Sequence, residues 1–173
     1  PSVLFLCLGK THPSLVKQEG EKYRAMLEEK VETLQLQQHV LFINEYLQLP
    51  ILLEYLQLSD VYLFTSKDPN QAVSGTFSYA ISSGCPVVST PIPHAKEIIS
   101  KNNGLLFDFE DALQLSEAVN SLLSNDDLRA EISSNSFQKM AATTWQNSAI
   151  AHAFLFQKLT TSAFELQFKI PAI

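Results

Sequence analysis

Cysteine is scarce in this sequence, since only Cys7 and Cys85 are cysteine among 173 residues. They lie far apart, each inside an apolar run, which excludes a disulfide framework and the close ligand spacing of a zinc site. His39 and His152 likewise have no cysteine or carboxylate partner at ligand spacing. We therefore expect no bound metal and a reducing, cytoplasmic setting.

Positively charged residues are also few, and long apolar runs are absent. The chain has 12 Lys and Arg residues against 18 Asp and Glu, a net charge of −6. Binding to nucleic acid or to an anionic membrane surface needs clustered Lys and Arg, so both are excluded and any phosphate ligand must be held by local contacts. No run approaches the roughly 20 apolar residues that span a bilayer. We expect no integral membrane segment.

The remaining composition is that of an ordinary globular protein. Hydrophobic residues make up 46% and charged residues 17%, with five Gly and eight Pro. A chain of this length fits one domain with its own core. It opens directly in an apolar run, with neither an initiator Met nor a basic leader, and we expect it to be a piece of a longer protein.

Short apolar runs alternate with amphipathic stretches along the chain. The predicted strands are residues 2–8, 40–43, 61–65, 86–89 and 104–107. Helical spacing of apolar residues predicts helices at 19–36, 51–58, 74–84, 93–100, 111–124, 126–142 and 144–159. The alternation predicts an α/β fold, a mostly parallel sheet covered by helices, with its first strand buried on both faces. The expected domain is 1–159, with 160–173 as a linker or tail.

Ligands of an open α/β sheet bind outside the carboxyl ends of its strands. The loops that follow the predicted strands, and that we expect to share one rim, are residues 9–13, 44–47, 66–75 and 90–95. The polar or otherwise unusual residues in these loops are Lys10, His12, Asn44, Lys67, Gln71, Ser74, Gly75, Thr76 and His94.

The loop of residues 68–76 leads from a strand into a helix. A helix start exposes free backbone N–H groups and about half a positive charge, and Gly75 lets a ligand approach the backbone closely. These groups can hold a diphosphate. Alternatively, Ser74 is simply an N-cap and Gly75 a turn residue. The residues alone leave both interpretations open.

Residues 84–90, Gly-Cys-Pro-Val-Val-Ser-Thr, carry a family resemblance. They resemble the Gly-x-Pro-Val-Val strand of the retaining glycosyltransferases of family 4, the glycosyl transferases group 1, in which a Glu-x7-Glu motif precedes that strand. Gln71 and Tyr79 occupy the places of the two glutamates, so this chain resembles a divergent branch that lacks both carboxylates. The resemblance spans residues 1–159. Further landmarks in family order are Asp60, Glu97 and residues 103–106.

The resemblance implies the nucleotide-sugar-binding half of a two-domain GT-B fold, a Rossmann-like doubly wound sheet with C-terminal helices. It implies an enzyme of hexosyltransferase type that moves a sugar from a nucleotide-diphosphate donor to an acceptor with retention. The acceptor would lie in an N-terminal domain outside this chain, so we expect the isolated fragment to be inactive. The donor is a substrate, and we expect no cofactor.

Two residues are predicted to be catalytic. Lys10 places an ammonium group near the diphosphate and stabilises the leaving nucleotide, and His12 assists if it is protonated. Gln71 hydrogen-bonds a sugar hydroxyl without supplying negative charge. Alternatively, Lys10 is a solvated loop lysine and His12 a turn residue before Pro13.

The predicted substrate-binding residues are His12, Asn44, Tyr46, Ser74, Gly75, Thr76, Tyr79, His94 and Glu97. Asn44 and Tyr46 lie where relatives hold the base, and Tyr46 either stacks on it or packs in the core. Tyr79 either contacts the ribose or, more simply, packs. Glu97 either lies near the donor or caps a surface helix. The same two alternatives apply to His94.

Two other functions remain open. Because both motif carboxylates are missing, the chain can instead be a non-catalytic module that binds a nucleotide sugar or a glycan. A sugar-nucleotide epimerase has a similar architecture, but it requires paired acidic groups, and no such pair is found in the rim loops.

Overall fold

The computed structural model describes residues 3–167, and their side chains as far as residue 161. Contacts divide the chain into two compact units, Pro1–Leu52 (unit 1) and Leu53–Ile173 (unit 2). The predicted extent of a single domain, 1–159, stays a prediction. Of the predicted tail, residues 160–167 are helical, and residues 168–173 lie outside the described part of the chain.

Unit 1 is a strand, two helices and a second strand. Its elements are β1 (Phe5–Leu8), α1 (Pro13–Glu19), α2 (Lys22–Thr33) and β2 (Val40–Ile43), followed by α3 (Leu49–Leu58), which crosses into unit 2. The strands are parallel, with Phe5 opposite Val40 and Leu8 opposite Ile43. Parallel pairing places the loops that follow β1 and β2 at the same edge of this sheet.

The first strand differs from its prediction. It begins at Phe5 rather than residue 2, and Leu4, Phe5 and Leu41 are exposed. The expectation that this strand is buried on both faces is wrong. The sheet of unit 1 consists of β1 and β2 within the described residues, so each strand has one neighbour and its faces are only partly covered.

Helix α1 was not predicted. Pro13 suits the first helical position because its fixed φ matches the helix and its missing N–H is not needed there. Gly20 ends the helix with φ +66°, in the left-handed region that favours glycine. The predicted helix 19–36 corresponds to α2, which begins a few residues later, at Lys22, because Gly20 separates it from α1.

Unit 2 contains three strands and most of the helices. They are β3 (Tyr62–Phe64), α4 (Gly75–Ser82), β4 (Val87–Ser89), α5 (Pro93–Ile98), β5 (Leu105–Leu106), α6 (Ala112–Leu123), α7 (Asp126–Ala141) and α8 (Trp145–Gln167). The strands are parallel, in the order β3-β4-β5. The predicted α/β fold with parallel strands is confirmed. In the described residues the strands form two sheets rather than one, because backbone pairing joins β1 to β2 and separately joins β3, β4 and β5.

The core of unit 2 surrounds its central strand. β4 is fully buried, and Val88 packs in a cluster with Phe107, Leu122 and Ile132. Helix α4 contributes three buried residues at helical spacing, Phe77, Ala80 and Ile81, as predicted. Complete burial of a side chain such as Phe77 stabilises the fold by roughly 1.5–3 kcal/mol. This packing fixes the start of α4 relative to the sheet.

Helix α8 lies outside this core. None of its described side chains is buried, and Trp145 is 90% exposed, with Phe154 and Phe156 also exposed. These aromatic residues are therefore not part of the core of the described residues. No helix within residues 3–167 combines the length and apolar character required to traverse a bilayer.

Candidate functional site

The start of α4 is built around Ser74. This residue is extended, its Oγ accepts a hydrogen bond from Phe77 N at 3.3 Å, and only 7% of it is exposed. The N-cap interpretation is confirmed. The cap leaves the N–H groups of Gly75 and Thr76 without a hydrogen-bond partner among the described residues. A phosphate oxygen can therefore be accommodated beside the cap.

The surface beside Gly75 is open. A Cβ added there would meet no atom within 4 Å, and Gly75 does not have the left-handed φ that would require glycine. The backbone shape alone does not demand glycine at this position. A glycine here keeps the approach to the backbone N–H groups clear.

His94 lies beside this helix start. Ser74 N donates to His94 Nδ1 at 3.2 Å, and the imidazole centroid lies 5.0 Å from that of Phe77. An Nδ1 that accepts a hydrogen bond places the ring proton on Nε2. The loops after β3 and β4 thus meet at one edge of the sheet, as predicted for these two loops.

Gln71 is held within its own loop. Ser66 Oγ donates to Gln71 Oε1 at 2.6 Å, and Gln71 Nε2 lies 3.4 Å from the Val73 carbonyl oxygen. The loop is closed further by Asn70 N, which donates to Asp68 Oδ1 at 2.9 Å. The amide of Gln71 keeps one N–H and one lone pair for a ligand.

Three other predicted site residues of unit 2 are Thr76, Tyr79 and Glu97. Thr76 Oγ1 lies 3.3 Å from Ser74 Oγ. Burial raises the pKa of Tyr62, and the neighbouring Thr76 side chain offsets part of that rise. Tyr79 is 41% exposed and so is not a core residue, and its contact with the ribose stays a prediction. Glu97 is exposed on α5.

In unit 1, the loop after β1 contains Lys10 and His12, both exposed. His12 is the N-cap of α1, with its Nδ1 accepting from Ser14 N at 3.2 Å. This agrees with the alternative in which His12 is a turn residue before Pro13.

Arg24, which the sequence did not single out, joins the two loops of unit 1. Its Nη1 donates to the Gly9 carbonyl oxygen at 3.4 Å and to Asn44 Oδ1 at 3.2 Å, and its Nε donates to Glu28 Oε1 at 3.1 Å. Its guanidinium carbon lies 5.3 Å from the centroid of the Phe42 ring, close enough for a cation–π contact. The Arg24 side chain is only 14% exposed. One feature of the sequence could have identified Arg24. It follows Tyr23 and lies three residues before Leu27, and both of these residues belong to the predicted apolar face.

A small pocket of about 190 Å³ lies beside Arg24. It is lined by Cys7, Leu8, Gly9, Lys10, Thr11, Tyr23, Arg24, Leu27 and Phe42. Burial raises the pKa of the Cys7 thiol, and the Arg24 charge offsets part of that rise. Lys10 and Arg24 give this pocket a positive character suited to an anion. Tyr46, in the loop after β2, is 80% exposed, so of the two alternatives the one in which it packs in the core is wrong, and stacking on a base stays a prediction.

A larger pocket of about 490 Å³ lies in unit 2 at the amino ends of β3 and β4. Its Arg129 is paired, with Nε 3.6 Å from Asp60 Oδ1 and Nη2 2.7 Å from Asp126 Oδ1. Nη1 also donates to the Leu122 carbonyl oxygen at 2.7 Å. The charged lining residues are the carboxylates of Asp60 and Asp126 and the single guanidinium of Arg129, so the pocket carries a net negative charge, and it lies at the opposite ends of the strands from Ser74. Its size alone does not make it the functional site.

Within residues 3–167, no three His, Cys, Asp or Glu side chains lie together so as to hold a metal ion. Cys7 and Cys85 are free thiols. Lys10 belongs to unit 1 and residues 74–76 to unit 2, so their joint action on one ligand stays a prediction. The binding and catalytic roles of all the predicted site residues likewise stay predictions.

Parallel strands crossed by helices, with polar loops at their carboxyl ends, define an α/β protein of the Rossmann-like class, in which nucleotides bind at that edge. The family model of the glycosyl transferases group 1 matches residues 3–139, and the chain belongs to this family. The resemblance seen in residues 84–90 is thereby confirmed.

Solved structures support the same fold. The C-terminal domain of the glycosyl transferase group 1 family protein LpcC from Francisella tularensis is 21% identical with a TM-score of 0.70; the match covers 80% of this chain and 68% of that one. HepE from Anabaena, solved in complex with UDP, is 21% identical with a TM-score of 0.74, covering 89% of this chain and 41% of that one. Sucrose-phosphate synthase from Thermosynechococcus elongatus is 20% identical with a TM-score of 0.74, covering 91% and 38%.

These comparisons confirm the fold as a GT-B half domain, similar to the C-terminal domain of the Francisella protein. This chain spans about two fifths of the length of the other two proteins. A comparison with curated protein sequences gave no match.

Proposed function

We propose that this chain is the donor-binding part of a glycosyltransferase that moves a hexose from a nucleotide-diphosphate sugar to an acceptor with retention. The observation that carries the proposal is the match of residues 3–139 to the glycosyl transferases group 1. The Anabaena protein of the same fold has been solved with UDP and with UDP-glucose, which supports a nucleotide sugar as the ligand class.

The diphosphate binds at the start of α4 in this proposal. The N–H groups of Gly75 and Thr76 point out of the first helical turn, where the helix dipole favours an anion. The open surface beside Gly75 gives a phosphate group room to approach. Lys10 adds a positive charge that stabilises the nucleotide as it leaves.

The sugar and the base are recognised by neighbouring loops. Gln71 hydrogen-bonds a sugar hydroxyl with the N–H and lone pair that its own loop leaves free. Tyr46 stacks on the base, for which its exposure leaves room, and Asn44 contacts the base edge. Tyr79 contacts the ribose through its hydroxyl, and Glu97 lies near the donor.

The donor is a substrate, so the proposal includes no resident cofactor and no metal. The acceptor binds to a further domain of the longer protein, and the present chain by itself binds the donor without transferring the sugar. Two free thiols are compatible with a cytoplasmic setting.

Isothermal titration of the chain with uridine, guanosine and adenosine diphosphate sugars tests this function. Saturable binding of one base class, lost when the sugar nucleotide is replaced by the nucleoside alone, is the expected result. If none of the three classes binds at millimolar concentration, the proposal is wrong.

A second function is favoured by one specific observation: Gln71 and Tyr79 stand where the family carries two glutamates. Without those carboxylates the chain can hold a nucleotide sugar and transfer nothing. Transfer by the native full-length protein would exclude this binding module. Transfer that appears only after Gln71→Glu would establish it.

A further inference from the structure

The amide group of Ser74 has an unusual partner for the residue that begins a helix. It donates to the Nδ1 atom of His94 at 3.2 Å, while Ser74 itself is buried. The imidazole is fixed from a second side by Phe77, whose ring centroid lies 5.0 Å away. His94 therefore contacts both the cap of α4 and a buried residue of its first turn.

We propose that His94 is a positioning residue that holds the N-terminus of α4 in the geometry that binds the donor diphosphate, acting through Ser74. The expected effect on donor binding rests on the proposed function. The contact between His94 and Ser74 does not depend on any ligand. His94 accepts from Ser74, and Ser74 in turn organises the helix start.

Ser74 transmits the effect through three further hydrogen bonds. Its Oγ accepts from Phe77 N at 3.3 Å, and its carbonyl oxygen accepts from Ser78 N at 3.1 Å and from Ser78 Oγ at 3.0 Å. The free N–H groups of Gly75 and Thr76 lie between these anchored atoms. The direction of these two N–H groups is therefore set by Ser74, which His94 holds in place.

The Ser74 amide requires a hydrogen-bond acceptor in the side chain of residue 94. Ser74 is buried as a residue, and an amide without a partner in such surroundings is destabilising, so a side chain at residue 94 that lacks an acceptor would move Ser74 towards another partner or towards water. Neutral histidine accepts at Nδ1 and keeps a donor at Nε2. Asn presents its Oδ1 at a similar distance from the backbone, whereas Phe keeps the ring and loses the acceptor.

The test compares His94→Asn with His94→Phe in this chain. The Asn variant is expected to bind the nucleotide-diphosphate sugar with nearly native affinity, and the Phe variant about tenfold more weakly, since one hydrogen bond of ordinary strength is lost. His152→Phe is the matched control, because His152 is exposed on α8 and bonds only within its own helix.

A ligand-free measurement separates this inference from the proposed function. In the native chain, ¹⁵N chemical shifts should show His94 unprotonated at Nδ1 and protonated at Nε2, and the Ser74 amide should exchange slowly with solvent. In His94→Phe that amide should exchange at least about tenfold faster, in line with a lost hydrogen bond.

The possible results distinguish a failure of the proposed function from a failure of the inference about His94. If no nucleotide sugar binds the native chain, the proposed function fails, and the tautomer and the Ser74 exchange rate still decide the role of His94. A proton on Nδ1, native Ser74 exchange in His94→Phe, or equal weakening by Asn and Phe overturns the inference. Should His94→Phe fail to fold, the tautomer and the affinity of His94→Asn decide.

Discussion

At the scale of single residues, the two glycines at the ends of α4 have different roles. Gly75 has open space around it and no left-handed φ, whereas Gly84 has φ +76° and an added Cβ would lie 3.3 Å from Ser133 Oγ. Gly75 thus borders open space, whereas Gly84 allows a backbone conformation that other residues adopt only with strain.

Gly75→Val should therefore weaken donor binding without destabilising the chain. A valine side chain would occupy the approach to the Gly75 and Thr76 amides, and we expect affinity to fall about tenfold or more, by loss of contacts worth at least 1.4 kcal/mol. The free energy of unfolding should change by less than about 1 kcal/mol. Titration calorimetry and urea unfolding measure the two effects.

Gly84→Ala is the matched control for that prediction. It should destabilise the chain by about 1 kcal/mol or more, because alanine is strained at a left-handed φ, and leave donor affinity unchanged in the folded fraction. If Gly75→Val binds the donor as tightly as the native chain does, the diphosphate does not lie at the start of α4.

The two thiols differ in their surroundings as well. Burial, and to a smaller extent the nearby Asp60 carboxylate, together raise the pKa of Cys85 to about 12. The ordinary thiol value is 9.0. Cys85 should thus remain a neutral thiol throughout the physiological range.

The pH dependence of stability follows from that shift. The folded pKa lies above the unfolded one, so the contribution of neutral Cys85 is complete below pH 9 and is lost as pH rises from 9 towards 12. Urea unfolding of Cys85→Ser should show less of this loss than the native chain. Alkylation of Cys85 at pH 8 should be slow, and rapid modification in the folded chain would contradict its buried, neutral state.

At the scale of elements, Arg24 ties α2 to the ends of β1 and β2. Its hydrogen bonds to Gly9 and Asn44 join this helix to the loops that follow both strands. A charged side chain that is mostly buried is stabilising only while its partners are in place.

Arg24→Met should lower the stability of unit 1 by about 1–3 kcal/mol, since the Gly9 carbonyl and the Asn44 side chain lose a charged donor. Hydrogen exchange of the β1 and β2 amides measures this locally. Lys30→Met is the control, because Lys30 is exposed on the same helix. Equal protection in both variants would show that Arg24 is a surface residue in solution.

At the same scale, local sequence patterns predicted most elements. Strands β2 to β5 and helices α3 to α7 lie within a few residues of their predicted places, because alternating apolar runs and helical spacing are local signals. Helix α1 was missed because its seven residues are too few for periodicity to appear. The limited burial of β1 depends on the number of strands beside it, which no local pattern contains.

At the scale of the whole molecule, the family match covers residues 3–139, and the chain spans about two fifths of the length of the Anabaena protein and of sucrose-phosphate synthase. Catalysis by a two-domain transferase needs the acceptor and the donor to be held together. Donor binding and sugar transfer should therefore separate experimentally.

We predict that this chain binds its nucleotide sugar and releases no nucleotide diphosphate above the uncatalysed rate, and that the longer protein releases it when an acceptor is present. A coupled assay for nucleotide diphosphate measures both. Release by the short chain with acceptor present would show that all catalytic groups lie within these 173 residues.

The sequence by itself determined the order of the strands and of every helix except α1, and the buried face of α4, because each depends on residues a few positions apart. Only the tertiary structure decided that Ser74 is held by His94, that Arg24 joins two loops, and that Tyr46 and Tyr79 are exposed. Those contacts join residues 15 to 20 positions apart, or depend on which surfaces other elements cover. The folded backbone determines which distant residues come into contact, and a local sequence pattern does not contain that information.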